Sequence, residues 1–226
     1  MFNKSLFVLI IVLTVFLSGL SWGKEITVKP GSPKDLIAAF NGAQDGDTII
    51  MRAGKYFLED SLEINGKDNL TIIGTGKVDI LLDDVYQDVI SIVDCGKIFI
   101  TNIHAQHVQP LDEYVCHGSV IRIENTKETH IYGCELNGCG AVGVNAYNAG
   151  TVNIEHCYIH HNSFNAFYLS KVTSVIILHN IIKDNKSFAQ FYQCKDIMMY
   201  GNTTENNTGY WEGLGNDVDP GDPKEY

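Results

Sequence analysis

The chain has 226 residues, 45% of them hydrophobic, and a formal net charge of −11 at pH 7. Arg52 and Arg122 are its only arginines and its lysines are scattered, so the sequence lacks the basic patch that nucleic-acid binding requires. A polyanionic ligand would be repelled over most of such an acidic surface unless a divalent cation bridged it.

Residues 1–23 are typical of a secretory signal peptide. Lys4 precedes an apolar run from Leu6 to Leu17, and Ser21 and Gly23 are small enough for a signal peptidase site. We therefore expect cleavage before Lys24, a secreted or periplasmic protein, and no membrane attachment afterwards. The alternative is a retained membrane anchor, which needs about 20 apolar residues, more than the 12 in this run.

One helix is predicted ahead of the repeats, over residues 33–42. It follows a short strand, Ile26 to Val28, and begins with Ser32 as a favourable N-cap and Pro33 as a favourable first residue. We expect this helix to cover the open end of a stack of strands, because an uncovered strand edge invites association with other chains.

Short strands bounded by Gly, Asn or Asp are predicted from Thr48 onward. After Thr129 a unit of roughly 22 to 23 residues recurs. A unit this short accommodates about three strands and no helix, which predicts an all-β, single-stranded parallel β-helix of about seven coils over residues 24–212. A polar tail is predicted over 213–226. Two columns of small or amide residues keep register through the repeats: Cys134, Cys157, Asn180 and Asn202, then Cys139, Asn162, Asn185 and Asn207.

The segments Asp47 to Tyr56 and Leu70 to Gly74, with Ile64 and the two later columns, resemble the first coils of secreted right-handed β-helix proteins of the pectin-lyase-like group. The resemblance covers almost the whole mature chain and implies a right-handed helix with an N-terminal capping helix. It implies less about chemistry, because lyases, hydrolases, esterases and epimerases share this fold with phage adhesins. The catalytic motifs of those enzymes find no clear match, although Arg122 with Glu124 partly resembles the pectate lyase site.

The resemblance also implies that a sugar would bind on the outer face of the sheet built from the first strand of each coil. Arg122, Glu124, Asn145 and Tyr168 are the predicted contacts, since arginine can clamp a carboxylate and tyrosine offers a flat face to a sugar ring. The alternative is a surface ion pair beside an exposed tyrosine. The outward residue of a later coil is either Gln190 or Phe191. Aligned coils predict two outward rows: Ser91, Arg122, Asn145 and Tyr168, then Val93, Glu124, Tyr147 and Ser170.

An insertion from about Ala105 to His117 concentrates titratable groups. These could form an acid–base group, a metal site or an ordinary polar loop. If the chain is an enzyme, we expect β-elimination of a uronate polymer, with His107 or His117 taking the proton and Arg122 neutralising the uronate carboxylate. No cofactor is predicted, and calcium is the one ion considered. The groups in and beside the insertion are His104, His107, Asp112, Glu113, Tyr114 and His117.

Other histidines follow the repeat. His156 and His179 occupy equivalent positions in successive coils and are predicted to stack near a turn. His160 and His161 align with Lys183 and Asp184, which predicts a solvated edge. None of these histidines is predicted to be catalytic.

The repeat also restricts how the six cysteines can pair. Cys116 with Cys139, and Cys134 with Cys157, are each one coil apart, and neighbouring coils lie about 4.8 Å apart, a separation that a disulfide accepts. The first pair is the preferred disulfide because it would pin the base of the insertion. The second pair is either a disulfide or two buried thiols. Cys95 and Cys194 should not pair.

Two functions of different classes fit these patterns. The first is a secreted β-helix that binds, and in the lyase version also processes, a polysaccharide. The alternative is a structural or adhesive solenoid without an active site. An enzyme requires the histidines and acids of the insertion to converge on the row that contains Arg122, whereas a scaffold leaves them spread into solvent.

Overall fold

The computed structural model describes residues 23–108, 116–138, 140–208 and 212–214. Within these ranges the chain forms an all-β, right-handed parallel β-helix of about 8 turns, which confirms the predicted fold. The predicted number of about seven coils is slightly low. The reason is that short strands at the two ends, Glu25–Val28 and Glu212–Leu214, also pair in register with their neighbours.

One strand of each coil contributes to a parallel, seven-stranded sheet, the smaller sheet. Its outward and inward side chains alternate, so that one face packs on the core and the other meets solvent. In stack order its strands are β3 (Leu62–Asn65), β5 (Ile90–Val93), β8 (Ile121–Glu124), β11 (Val142–Tyr147), β14 (Asn165–Ser170), β17 (Ser187–Tyr192) and β20 (Glu212–Leu214).

The larger sheet has 13 strands among the described residues and bends into two arms. The first arm contains β1 (Glu25–Val28), β2 (Thr48–Leu58), β4 (Leu70–Leu82), β6 (Lys97–Thr101), β9 (Glu128–Tyr132), β12 (Thr151–Glu155), β15 (Ser174–Leu178) and β18 (Ile197–Tyr200). The second arm extends from the C-terminal half of β4 and contains β7 (His104–His107), β10 (Glu135–Asn137), β13 (Tyr158–His160), β16 (Ile181–Lys183) and β19 (Thr203–Glu205).

The predicted helix is present as α1 (Pro33–Gly42), with Leu36 and Phe40 buried against the first coils. The helix begins after Ser32, as predicted. However, the Ser32 side chain makes no capping hydrogen bond; its backbone carbonyl instead accepts the N–H of Asp35 at 3.1 Å. The helix therefore covers the N-terminal end of the stack through its apolar face.

Identical columns of aliphatic side chains fill the interior. Ile131, Ile154 and Ile177 pair in register from coil to coil and are at most 1% exposed. Burial of such side chains is the main stabilising term for this fold, at about 1.5–3 kcal/mol for each.

The turn between the two arms of the larger sheet contains the first repeat column, and the residue immediately before each column member is left-handed. His156 and His179 have φ of 53° and 55°, and Gly133 and Gly201 take the same left-handed conformation in the flanking coils. The two imidazole rings stack with centroids 5.3 Å apart and an interplanar angle of 19°, as predicted.

Asparagine and cysteine side chains close this turn by bonding to the preceding coil. Asn180 Nδ2 donates to the carbonyl of Ile154 at 2.9 Å. The thiols of Cys134 and Cys157 take the same position and contact the carbonyls of Ile100 and Ile131 at 3.7 and 3.5 Å. A thiol thus replaces the amide as the donor in two coils.

Of the two alternatives for Cys134 and Cys157, the structure has two buried thiols, and each is directed at a backbone carbonyl. The contact with Cys134, together with burial, raises the pKa of the Cys157 thiol well above its ordinary value. The Cys116–Cys139 pairing stays a prediction, since Cys139 lies outside the described residues.

We expect neither Cys134 nor Cys157 to react with iodoacetamide in the folded protein, and both to react after unfolding without reductant. The reason is that both thiols are buried, at 2% exposure each. Peptide mapping by mass spectrometry measures the labelling. Recovery of a peptide pair joined through Cys134 and Cys157 would contradict the expectation.

Candidate functional site

The two predicted rows of outward residues lie on the outer face of the smaller sheet, although Ser91 and Ser170 are only 6% and 7% exposed. Ser91, Arg122, Asn145 and Tyr168 pair in register across β5, β8, β11 and β14. The second row lies two residues further along each strand, on the same face. It contains Val93, Glu124, Tyr147 and Ser170, as predicted. In β17 the outward residue is Gln190, whereas Phe191 is buried at 1% exposure.

Arg122 and Glu124 form an ion pair on this face. Their side chains are 41% and 27% exposed, so the pair is open to solvent and contributes little to stability. The ion pair matters for ligand binding, because the Arg122 guanidinium already has a carboxylate partner from its own strand. Beside it, Asn145 Nδ2 donates to Ser119 Oγ at 3.2 Å, which fixes the amide with its oxygen available to a ligand.

Three tyrosines stand out from the same face. Tyr147, Tyr168 and Tyr192 are 44%, 38% and 43% exposed, although an aromatic ring of this size usually contributes to a core or an interface. Lys171 Nζ donates to Tyr147 Oη at 3.1 Å, which holds that ring in place. We define the tyrosine face as Arg122, Glu124, Asn145, Tyr147, Tyr168, Gln190 and Tyr192.

The described contacts of the two histidines predicted as proton acceptors are with residues outside the tyrosine face. His107 is fully buried at the end of β7 in the larger sheet, and its Nε2 lies 2.8 Å from the carbonyl of Gln87. Burial separates its ring from a substrate in solvent and does not support the predicted catalytic role, which stays a prediction. His117 is exposed and stacks on Tyr86, with ring centroids 5.4 Å apart.

The irregular segment also begins later than predicted. Ala105 is buried within β7, so the regular coil continues to His107. Residues 109–115, with Asp112, Glu113 and Tyr114, lie outside the described residues.

Burial lowers the pKa of His107, although the Gln87 carbonyl favours its charged form. Because the folded pKa lies below the unfolded value of about 6.5, protonation favours the unfolded chain. The stability that depends on neutral His107 is therefore present above pH about 6.5 and is lost as the pH falls through the folded pKa.

We expect the free energy of unfolding to fall more steeply on acidification in the wild type than in His107→Gln, by up to about 1.4 kcal/mol per pH unit. The glutamine keeps a donor for the Gln87 carbonyl but does not titrate in this range. Urea unfolding at several pH values measures the slopes, with His117→Gln as the exposed control. Parallel curves for wild type and His107→Gln would contradict this role.

A second group of titratable side chains, which we call the histidine cluster, comprises Asp79, His104, Glu135, Asn137 and His160. It lies on the second arm of the larger sheet, where neighbouring strands bring these residues together. His104 Nδ1 lies 2.8 Å from Asp79 Oδ1, and His104 Nε2 lies 2.5 Å from Asn137 Oδ1. The cluster thus forms a network of hydrogen bonds that holds its own members.

His160 corrects a prediction, because it is not part of a solvated edge. Its side chain is 10% exposed, and its Nε2 lies 3.2 Å from Glu135 Oε1. Burial lowers the pKa of His160, against the opposing effect of Glu135. Sequence spacing could not reveal this network, since its members come from coils of unequal length.

Two further observations concern the calcium ion considered above and the predicted signal peptide. Among the described residues, no group of three or more His, Cys, Asp or Glu side chains is arranged to hold a metal ion. The described part of the chain also contains no helix long and apolar enough to cross a bilayer. Residues 1–22 of the predicted signal peptide and residues 215–226 of the predicted polar tail lie outside the described residues, whereas Gly213 and Leu214 of that predicted tail belong to β20.

Comparisons with known structures agree with the fold. A chain titled Geobacillus virus E2 ORF18 matches with a TM-score of 0.59 and 12% identity, over 84% of this chain and 48% of that chain. This protein therefore spans about half the length of the viral one, and the likeness is one of fold alone.

An alginate lyase from Paenibacillus sp. str. FPU-7 matches with a TM-score of 0.39 and 10% identity, over 86% of this chain and 99% of that chain. A likeness this low carries no argument about activity. No curated protein matches this sequence. The family model described as right handed beta helix region matches residues 61–216, more than half of the chain. On that match, the protein belongs to the right-handed β-helix family.

Proposed function

We propose that this protein binds a polysaccharide that lies along the tyrosine face, parallel to the axis of the stack. The observation that carries the proposal is the set of three partly exposed tyrosines on one parallel sheet. Tyr147, Tyr168 and Tyr192 come from successive strands, so they are offset along the axis by about 4.8 Å at each step. This step is comparable to the length of a hexose unit.

The polar groups of the tyrosine face suit hydroxyl ligands. Asn145 and Gln190 lie in the same row as Tyr168. An amide group can both donate and accept hydrogen bonds, and Gln190 Oε1 already accepts one from Asn165 Nδ2 at 3.1 Å. Small-molecule sites are usually lined by apolar and aromatic side chains, with a few polar groups that fix the orientation of the ligand.

The charges favour a neutral polysaccharide over a polyuronate. Arg122 is paired with Glu124, so a uronate carboxylate would have to displace that partner. The net charge of −11 adds long-range repulsion of a polyanion. Binding without lysis is therefore the function proposed, since His107 is buried and the histidine cluster lies on the other sheet.

Affinity electrophoresis against a panel of polysaccharides tests the proposal. The panel contains starch, hydroxyethylcellulose, mixed-linkage β-glucan, galactomannan, alginate and polygalacturonate. We expect a neutral polysaccharide to retard the wild-type protein. Retardation by none of them would leave the structural or adhesive solenoid as the function.

The same panel tests the lyase chemistry. The protein is incubated with the two polyuronates, with and without calcium, and the ultraviolet absorbance of unsaturated product is followed. We expect no increase. An increase that Arg122→Ala abolishes would establish β-elimination instead of binding alone.

A further inference from the structure

A cleft of about 320 Å³ lies between α1 and β3, at the N-terminal end of the smaller sheet. Its lining includes the apolar residues Ile37 and Phe40 of α1 and Leu62 of β3, of which Phe40 and Leu62 are buried. The polar residues of the lining, which we call the polar wall, are Asn41, Asp60, Ser61, Glu63 and Gln87. A volume at the lower end of the range for ligand sites suits a ligand of one or two sugar units.

The cleft lies at one end of the row of outward residues that crosses the tyrosine face. Glu63 pairs in register with Ser91, which is 6% exposed, and Ser91 pairs with Arg122. Glu63 is therefore the first outward residue of the row that contains Asn145, Tyr168 and Gln190. Beyond β3, α1 packs across the end of the stack and closes the path. A chain that lies along the row therefore meets the cleft at one end and cannot continue past it.

We infer that this cleft receives the terminal sugar of the polysaccharide that lies on the tyrosine face. This inference rests on the proposed function and extends it to the mode of binding. The protein then binds its ligand at a chain end.

The polar wall of the cleft is held in position before a ligand arrives. Gln87 Nε2 donates to Asp60 Oδ1 at 3.3 Å and to Asp84 Oδ2 at 3.0 Å. Its Oε1 accepts the backbone N–H of Ser61 at 3.1 Å. The other carboxylate oxygens of Asp60 and Glu63 can accept hydrogen bonds from sugar hydroxyls.

The charge of the cleft indicates the class of ligand. The described residues that line it include Asp60 and Glu63 but neither Lys nor Arg, so an uncharged terminal sugar is favoured over a uronate.

Isothermal titration with hexaoses made from the polysaccharide that retards the wild type tests the inference. We expect Glu63→Gln to lower the hexaose affinity by about tenfold, because a charged acceptor is lost. Asn41→Trp, which fills the cleft from the exposed side of α1, is expected to do the same. Glu205→Gln, on the larger sheet, is the matched control and should bind as the wild type does.

The outcomes separate this inference from the proposed function. Loss of hexaose affinity in both cleft variants, with polymer retardation kept through the tyrosine face, would support terminal binding. Unchanged hexaose affinity in both variants, with loss only in Tyr168→Ala, would overturn it and leave the proposed function intact. Failure of every polysaccharide to retard the wild type would overturn both. Thermal melting of each variant verifies that it is folded.

Discussion

Replacement of Asn180 by alanine is expected to lower the free energy of unfolding by about 2–4 kcal/mol. Asn180 is 1% exposed. Its Oδ1 accepts the N–H of Cys157 at 2.8 Å, and its Nδ2 donates to the carbonyl of Ile154 at 2.9 Å. Alanine would leave both of these backbone groups buried and unpaired, at about 1–3 kcal/mol for each. The expected decrease in melting temperature is about 4–16 °C.

Urea unfolding followed by circular dichroism measures the loss. Asn65→Ala is the matched control, because Asn65 is exposed on β3 and its loss should change stability by less than about 0.5 kcal/mol. Equal stability of the two variants would show that the asparagine column does not hold the coils together.

Replacement of Tyr168 by alanine is expected to lower the affinity for the bound polysaccharide by at least tenfold. Tyr168 lies between Tyr147 and Tyr192 on the tyrosine face, so its ring is placed at the centre of the proposed contact. Aromatic residues at the centre of an interface commonly contribute about 2 kcal/mol or more. Tyr168→Phe keeps the ring and should retain most of the affinity.

Tyr132→Ala is the control for this experiment. Tyr132 is 51% exposed, but it lies on β9 in the larger sheet. Its removal should leave binding unchanged. An equal loss of affinity in Tyr132→Ala and Tyr168→Ala would indicate general adhesion to aromatic surface instead of a defined face.

The two outward rows were predictable because the period of the repeat fixes register. Arg122, Asn145 and Tyr168 are each 23 residues apart, so one alignment places all three. From Tyr168 to Gln190 the step is one residue shorter, and a slip of one residue exchanges the outward and inward faces. For this reason the sequence left Gln190 and Phe191 as alternatives.

The histidine cluster was not predictable because the coils that build it differ in length. Asp79 and His104 are 25 residues apart, whereas His104 pairs with Glu135 across the whole insertion. No fixed period aligns these three residues. The same irregularity hid the burial of His107, which looked like part of a polar loop.

The repeat could not predict whether Cys134 and Cys157 form a disulfide, for a different reason. Equal spacing correctly places Cys134 beside Cys157, but it does not say where the sulfur atoms are directed. In the structure each thiol takes the position of the ladder amide and contacts a backbone carbonyl. The backbone carbonyl in the preceding coil determines where each sulfur atom is directed. The spacing of the cysteines alone does not reveal that contact.

Tyrosine footprinting tests the proposed binding face most directly. The protein is nitrated with tetranitromethane, with and without the polysaccharide that retards it, and each site is quantified by mass spectrometry. We predict that the ligand protects Tyr147, Tyr168 and Tyr192 and leaves Tyr132 and Tyr200 of the larger sheet as reactive as before. Protection of Tyr132 and Tyr200 instead, or no protection of the three tyrosines, would contradict binding on the tyrosine face.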